Sequence, residues 1–186
     1  PAPNKPVWVP ESRRFCLAIP ERTCAGPAGG GGGAPVAVVS IDPHSPGPVD
    51  AVFPVQRCQP GGLTLGPNDH LLIGCGVAFD TAGVAWTATD TASAAPVSIV
   101  LNANTGAVVA TVAGVSGSDE VWFNRGYGYY YLAARNNPGG PVLGVFNART
   151  NTLTQFLPTI NPAVKTTPTT FPSATSHSVA ADPSTK

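Results

Sequence analysis

The residues with the clearest potential for chemistry are four polar side chains: Asp119, Glu120, Asn124 and His177. Their spacing follows a repeat, because short apolar runs begin at Leu63, Val121 and Val179, 58 residues apart both times (121 − 63 and 179 − 121). Equivalent positions of a repeat occupy equivalent places in the fold. Asp119 and His177 each lie two residues before such a run, so we expect them to converge at one end of a common axis.

Oxygen and nitrogen donors that converge can hold a cation, or act as acid and base on a small substrate. Asp119 and His177 are the leading candidates for a divalent cation such as calcium, and their neighbours Glu120 and Asn124 are reserves. The equivalent position of the first repeat holds Gly61, which offers no side chain. The alternative is purely structural: Asp119 caps a turn between units, and His177 is a hydrogen-bonded turn residue.

Two kinds of hairpin position these residues. One kind covers residues 63–74 and 121–132, where apolar and aromatic residues flank a turn rich in Asn, Gly and Pro. The other kind covers residues 97–112 and 143–157, and residues 36–55 give a similar pair of strands. β-branched and aromatic residues favour pleated strands, whereas Asn and Gly favour turns. The two kinds alternate, which predicts four antiparallel strands per unit, as in a β-propeller blade.

The predicted fold class is therefore all-β, with about three propeller-type blades of four antiparallel strands. In such a fold the first strand of each blade lines a central channel, and the residues before it lie at a channel mouth. Because propellers typically have about 4 to 8 blades, we expect a partial ring. The remaining blades of the same protein, or further copies of the chain, would complete it. Four units are predicted. Residues 1–35 form a strand with a Cys-containing and Gly-rich loop, and residues 36–75 form a blade. Residues 76–135 form a blade with a long loop at 76–96, and residues 136–186 form a blade with an incomplete last hairpin.

The cysteines indicate the compartment. The sequence has four of them, Cys16, Cys24, Cys58 and Cys75, which form two close pairs. This pattern favours two disulfides, Cys16 with Cys24 and Cys58 with Cys75, and an exported protein in the periplasm or outside the cell. Cys58 precedes one strand and Cys75 ends the strand that pairs with it, so adjacent strands would bring them within bonding range. Free buried thiols and a metal site are the alternatives, although zinc-ligand spacing is lacking.

Composition excludes several classes of function. Ten basic residues balance ten acidic residues, whereas nucleic-acid binding needs a basic excess. No apolar run approaches the roughly 20 residues that span a bilayer. Residues 26–33 are glycine-rich, but no Lys-Ser/Thr follows them, so a phosphate loop is not predicted. No Gly-x-Ser-x-Gly nucleophile motif is present.

The remaining polar and aromatic residues have two interpretations each. The tyrosines at 127 and 129–131 could form a stacking platform for a ligand. However, successive side chains of a strand point to opposite faces, which favours tyrosines that fill the core between blades. Arg125 and Arg135 flank this hairpin and could hold an anionic ligand, or could form ordinary surface pairs. His44 and His70 lie in turns rich in Pro, Asp and Asn, and are predicted to be solvated.

Several phrases resemble a known family. The segments HSVAADP, GLTLGPNDHLLIG, VLNANTGAVVATV and VFNARTNTLTQF are similar to repeats of the YncE-like (YVTN-type) β-propellers, which are related in architecture to SMP-30/gluconolactonase and NHL-repeat propellers. The resemblance implies an exported bacterial protein. The gluconolactonase relatives bind a divalent metal through Glu, Asn and Asp, but that set does not map onto this sequence residue by residue. The favoured function is a scaffold that binds a small ligand or partner, and the alternative is a metal-dependent lactonase or lyase acting at the channel mouth.

Overall fold

The computed structural model describes most of the chain. The described residues are 6–20, 37–47, 49–80, 84–85, 96–118, 120–159, 164–165, 170–171, 175 and 177–184. They form β-strands and turns, with one 3₁₀ turn at Pro67–Asp69, and the predicted all-β class is confirmed. Within this part of the chain, none of the helical structure is long and apolar enough to cross a membrane.

Strands that follow one another along the chain build three four-stranded antiparallel sheets. The first sheet contains β1 (Val7–Val9), β2 (Arg14–Ile19), β3 (Ala37–Ile41) and β4 (Val49–Pro54). The second contains β5 (Cys58–Leu65), β6 (His70–Ala78), β7 (Val97–Asn102) and β8 (Val108–Ala113). The third contains β9 (Glu120–Asn124), β10 (Tyr129–Ala134), β11 (Val142–Asn147) and β12 (Thr152–Pro158). A short hairpin follows, β13 (Val164–Lys165) and β14 (Thr170–Phe171).

The order of strands confirms the predicted alternation of hairpins. In each sheet the strands are hydrogen-bonded in chain order, as in a propeller blade. The boundaries between units differ from the prediction. The predicted breaks after residues 75 and 135 fall within the second and third sheets, because β6 pairs with β7 and β10 pairs with β11. The units are thus displaced from the predicted ones by one hairpin.

The second sheet is covered on both faces. Leu71 and Ile73 belong to a core shared with the first sheet, whereas Leu72 belongs to a core shared with the third sheet. Successive residues of a strand point to opposite faces, so β6 supplies both cores. The first strands also lie together, since β5 contacts both β1 and β9. The three sheets are therefore stacked as neighbouring blades, with their first strands along one edge.

The tyrosine-rich strand β10 follows the predicted alternation. Tyr130 is fully buried in the core between the second and third sheets, and Tyr129 and Tyr131 are only partly buried. Burial raises the pKa of the Tyr130 phenol. Tyr130 is therefore a core residue and not part of an open stacking platform.

One of the two predicted disulfides is formed. Cys58 and Cys75 are bonded, with their Cα atoms 5.1 Å apart, which confirms that pair and supports export to an oxidising compartment. The predicted bond of Cys16 with Cys24 is wrong, because Cys16 carries a free, fully buried thiol. Its Sγ points into the core between the first two sheets and lies 3.9 Å from the carbonyl oxygen of Ala103. Cys24 lies outside the described residues.

The Cys16 thiol should be nearly inert in the folded protein. Burial raises its pKa from 9.0 to about 11, which lowers the thiolate population at pH 8 about 100-fold, and the thiolate is the reactive form. We expect iodoacetamide to modify Cys16 in the native protein at least 100 times more slowly than in 6 M guanidinium chloride. Mass spectrometry of the peptide that contains Cys16 measures both rates. Similar rates in the two states would contradict its placement in the core.

Candidate functional site

The turns that close the hairpins share one end of the sheet stack. In a sheet of four sequential antiparallel strands, the first and third connections lie at one end and the second at the other. Residues 66–69 and 103–107 close the hairpins of the second sheet, and residues 125–128 and 148–151 close those of the third. We call this the turn end. It brings together turns of different sheets that are far apart in sequence.

Asn124, a predicted ligand, is hydrogen-bonded within its own turn. It is only 3% exposed. Its Oδ1 accepts a hydrogen bond from the Gly126 N–H at 2.9 Å, and its Nδ2 donates to the carbonyl oxygen of Asp182 at 3.4 Å. The Asp182 carboxylate accepts hydrogen bonds from Ser184. These bonds hold Asp182 locally and lower the pKa of its carboxyl group. Asn124 therefore anchors the turn and residues 182–184.

Glu120, another predicted ligand, is not brought to Asn124. Glu120 begins β9 and Asn124 ends it, so four residues of extended strand, about 13 Å, separate them. One cation cannot contact both side chains. His177 is exposed, and Asp119 lies outside the described residues, so the convergence of Asp119 with His177 stays a prediction. Among the described residues, no three His, Cys, Asp or Glu side chains lie together as a metal site.

Replacing Asn124 should loosen this corner of the third sheet. We expect Asn124→Ala to lower the free energy of unfolding by about 1–2 kcal/mol, because the buried Asn124 amide no longer hydrogen-bonds the Gly126 N–H and the Asp182 carbonyl oxygen. Urea unfolding measures the change. The exposed Asn136 is a matched control, and Asn136→Ala should change stability by less than about 0.5 kcal/mol. Equal effects of the two variants would show that Asn124 does not anchor the turn.

His70 joins two sheets, in contrast to the prediction that it is solvated. Its carbonyl oxygen accepts hydrogen bonds from the Gly66 N–H at 2.8 Å and from the Tyr130 hydroxyl at 3.2 Å. Its ring Nδ1 lies 3.3 Å from Nδ2 of Asn151. The physical reason is that the turn after β5 packs directly on the third sheet. His44 is exposed, as predicted.

A cleft opens at the turn end between the second and third sheets. Its volume is about 430 Å³. The second sheet contributes Leu65, Gly66 and Pro67 to its lining, and the third sheet contributes Phe123, Arg125, Gly128 and Arg149. Arg125 was recognised from the sequence as a possible holder of an anion. Arg149 was not, although the equal spacing of the hairpins places its turn at the same end as that of Arg125.

Hydrogen bonds hold the two arginine-bearing turns against each other. Oδ1 of Asn147 accepts hydrogen bonds from the backbone N–H of Arg149 at 2.9 Å and from that of Thr150 at 3.1 Å. The N–H of Ala148 donates to the carbonyl oxygen of Gly128 at 2.9 Å. The backbones that carry Arg125 and Arg149 are therefore linked directly.

Of the residues that the structure describes, none that lines this cleft carries a carboxylate. An ion pair forms between Arg14 and Asp50, on the first sheet, away from the cleft. Asp69, two residues after Pro67, accepts a hydrogen bond from Asn104 at 3.0 Å, and its proximity raises the pKa of Glu11. The Asp69 carboxylate is thus engaged on the side of the first sheet. The cleft as lined carries two positive charges.

A second cleft of about 400 Å³ lies between the first and second sheets. Its lining comes from the outer strands and the connection between the sheets, and consists of Pro54, Gln56, Arg57, Val97, Ile99, Val108 and Thr111. The Nε of Arg57 donates to the carbonyl oxygen of Phe79 at 3.1 Å. The guanidinium of Arg57 therefore already has a hydrogen-bond partner. This makes the second cleft a weaker candidate than the one at the turn end.

Comparisons with known proteins add little to this geometry. No protein-family model matches the sequence, and no curated protein matches it. A solved structure, that of apo AztD from Citrobacter koseri, is similar with 9% sequence identity and a TM-score of 0.45. The match covers 85% of this chain and 47% of that one, so the chain spans about half the length of the AztD structure. The resemblance to YncE-like propellers therefore rests on the repeat phrases of the sequence.

Proposed function

We propose that the chain belongs to an exported, YncE-like β-propeller, periplasmic or extracellular, that binds a small ligand in the cleft at the turn end. One observation carries this proposal: the described lining of the cleft combines apolar residues with two arginines and includes no carboxylate. Its volume of about 430 Å³ is within the range of pockets that enclose small molecules.

The groups that line this cleft favour binding over catalysis. A guanidinium stays protonated near neutral pH, so it recognises ligands but does not exchange protons with them. The other lining side chains belong to leucine, proline and phenylalanine, which offer neither a nucleophile nor a general base. The arrangement therefore supports a ligand-binding scaffold.

Amide chemical shifts test this proposal. A set of small aromatic compounds, neutral, anionic and cationic, is added in turn to the ¹⁵N-labelled protein. We expect at least one compound to shift the amide signals of Gly66, Phe123 and Gly128 together in a saturable way. Shifts confined to Val97 and Val108, in the second cleft, would contradict the proposal, and so would the absence of saturable shifts at Gly66, Phe123 and Gly128.

We further propose that the outer face of the third sheet packs against another four-stranded sheet of the same protein. Tyr131 pairs with Trp122 and Val145, and all three face away from the core that holds Tyr130. Trp122 is 44% exposed and Leu157 is 43% exposed. Exposed apolar faces of this kind mark packing surfaces.

Residues 182–183 support this proposal, because they contact the turn after β9 at the edge of that face. Asp182 bonds Asn124, and the carbonyl oxygen of Pro183 lies directly against Gly126. Intact mass in denatured and native states tests the origin of the covering sheet. A denatured mass above 18.9 kDa supports the proposal. A denatured mass of 18.9 kDa with a native mass at a multiple of it would instead assign the face to further copies of the chain.

A further inference from the structure

The two arginines and the apolar residues of the cleft specify the class of ligand. We infer that the cleft takes an organic anion, such as an aryl carboxylate, with its charged group on Arg125 and Arg149 and its flat apolar body on Phe123. This inference rests on the proposed function, which requires only that some small ligand binds there.

The case for an anion comes from the two guanidinium groups. Arg125 and Arg149 extend from turns whose backbones are hydrogen-bonded to each other through Ala148 and Gly128. Both arginines line the same cleft, and neither forms an ion pair with a described carboxylate. Their planar forks match the geometry of carboxylate oxygens, and charge-assisted hydrogen bonds are about twice as strong as neutral ones. A bound anion would also relieve the repulsion between two cations at one cleft.

The case for an apolar, flat body comes from the other residues of the cleft. Leu65, Pro67 and Phe123 line it, and none of them offers a side-chain hydrogen bond. The ring of Phe123 is positioned by Tyr130, with the ring centroids 5.2 Å apart and the planes at 51°. Because Tyr130 is fully buried, Phe123 presents a fixed aromatic surface. Aromatic rings favour offset-stacked or edge-to-face partners, so a flat ligand fits this surface better than a small inorganic ion.

A pair of probes of the same shape tests the inference. The probes are 2-naphthoate and the neutral 2-naphthamide, titrated into the ¹⁵N-labelled protein and followed at Gly66, Phe123 and Gly128. We expect the naphthoate to bind at least about ten times more tightly than the amide, the gain expected of charge-assisted over neutral hydrogen bonds. Raising the salt from 50 to 500 mM should weaken naphthoate binding several-fold and leave the amide unchanged, since salt screens exposed charges.

Variants assign the effect to the two arginines. Arg125→Gln and Arg149→Gln should each weaken naphthoate binding about three- to tenfold and weaken naphthamide binding less, so that the preference for the anion falls. Arg13→Gln is the matched control, because Arg13 is exposed in a turn of the first sheet and does not line the cleft. It should change neither affinity. A well-dispersed ¹⁵N spectrum like that of the parent protein shows that each variant is folded.

The outcomes separate this inference from the proposed function. Equal binding of naphthoate and naphthamide at the cleft would keep the proposed function and overturn the choice of an anion. Sodium sulfate binding as tightly as naphthoate would overturn the role of the apolar residues. An absence of binding by both probes would overturn the inference, whereas the proposed function falls only if the wider set of compounds also leaves the cleft signals unchanged.

Discussion

Removing the Cys58–Cys75 disulfide should lower the free energy of unfolding by about 3 kcal/mol. The bond joins residues separated by 17 positions, and a cross-link over a loop of about this length restricts the unfolded chain by that amount. In the folded protein it ties the start of β5 to β6, and both cysteines are fully buried. The double variant Cys58→Ala/Cys75→Ala tests this expectation, because alanine keeps the positions small and apolar.

Urea unfolding under non-reducing conditions measures the difference. Cys16→Ala is the matched control, since it removes a cysteine from the same core but no covalent bond. It should cost less than the double variant does. If the double variant unfolds at the same urea concentration as the parent protein, the core between the first two sheets is sufficient without the cross-link, and the chain does not need an oxidising compartment to fold.

The repeat of 58 residues predicted most of the architecture. It identified β5 and β9 as equivalent first strands and gave the order of the four strands in their sheets. The predicted units failed because each of 36–75, 76–135 and 136–186 begins before the third strand of a sheet, which separates strands that pair. A long loop does not divide a sheet when the strands on either side pair, and Leu72 of β6 pairs with Val100 of β7 across the loop predicted at residues 76–96.

The candidate site was harder to predict because it depends on distances between sheets. The sequence period related Asp119 to His177 and kept Glu120 and Asn124 as reserve ligands, but an extended strand separates Glu120 from Asn124 by about 13 Å. Asn124 is captured by its own turn, a local hydrogen bond that its position just before Arg-Gly made recognisable. The cleft joins Pro67 to Arg149, 82 positions apart (149 − 67). Only the packing of one sheet on the next brings such residues together.

Gly66→Ala should lower the free energy of unfolding by about 2–3 kcal/mol. The backbone of Gly66 is extended, with φ at −110°, so a residue with a side chain can adopt its conformation. The obstacle is Tyr130. A Cβ at position 66 would lie against the Tyr130 hydroxyl and within 2.7 Å of its Cε1. Overpacking of a core costs about 1–3 kcal/mol, and the tyrosine has little freedom to move because its ring is fully buried and its hydroxyl is bonded to His70.

A double-mutant cycle with Tyr130→Leu isolates this contact. Tyr130→Leu alone should cost about 3 kcal/mol through lost packing. The combination with Gly66→Ala should cost at least 1 kcal/mol less than the sum of the single changes, because leucine leaves room for the new methyl group. Gly47→Ala is the matched control, since nothing lies within 4 Å of the Cβ it would add. Strict additivity would mean that Gly66 does not press on Tyr130. Phe123, which lines the cleft and packs on Tyr130, would then not be held in place by the turn after β5.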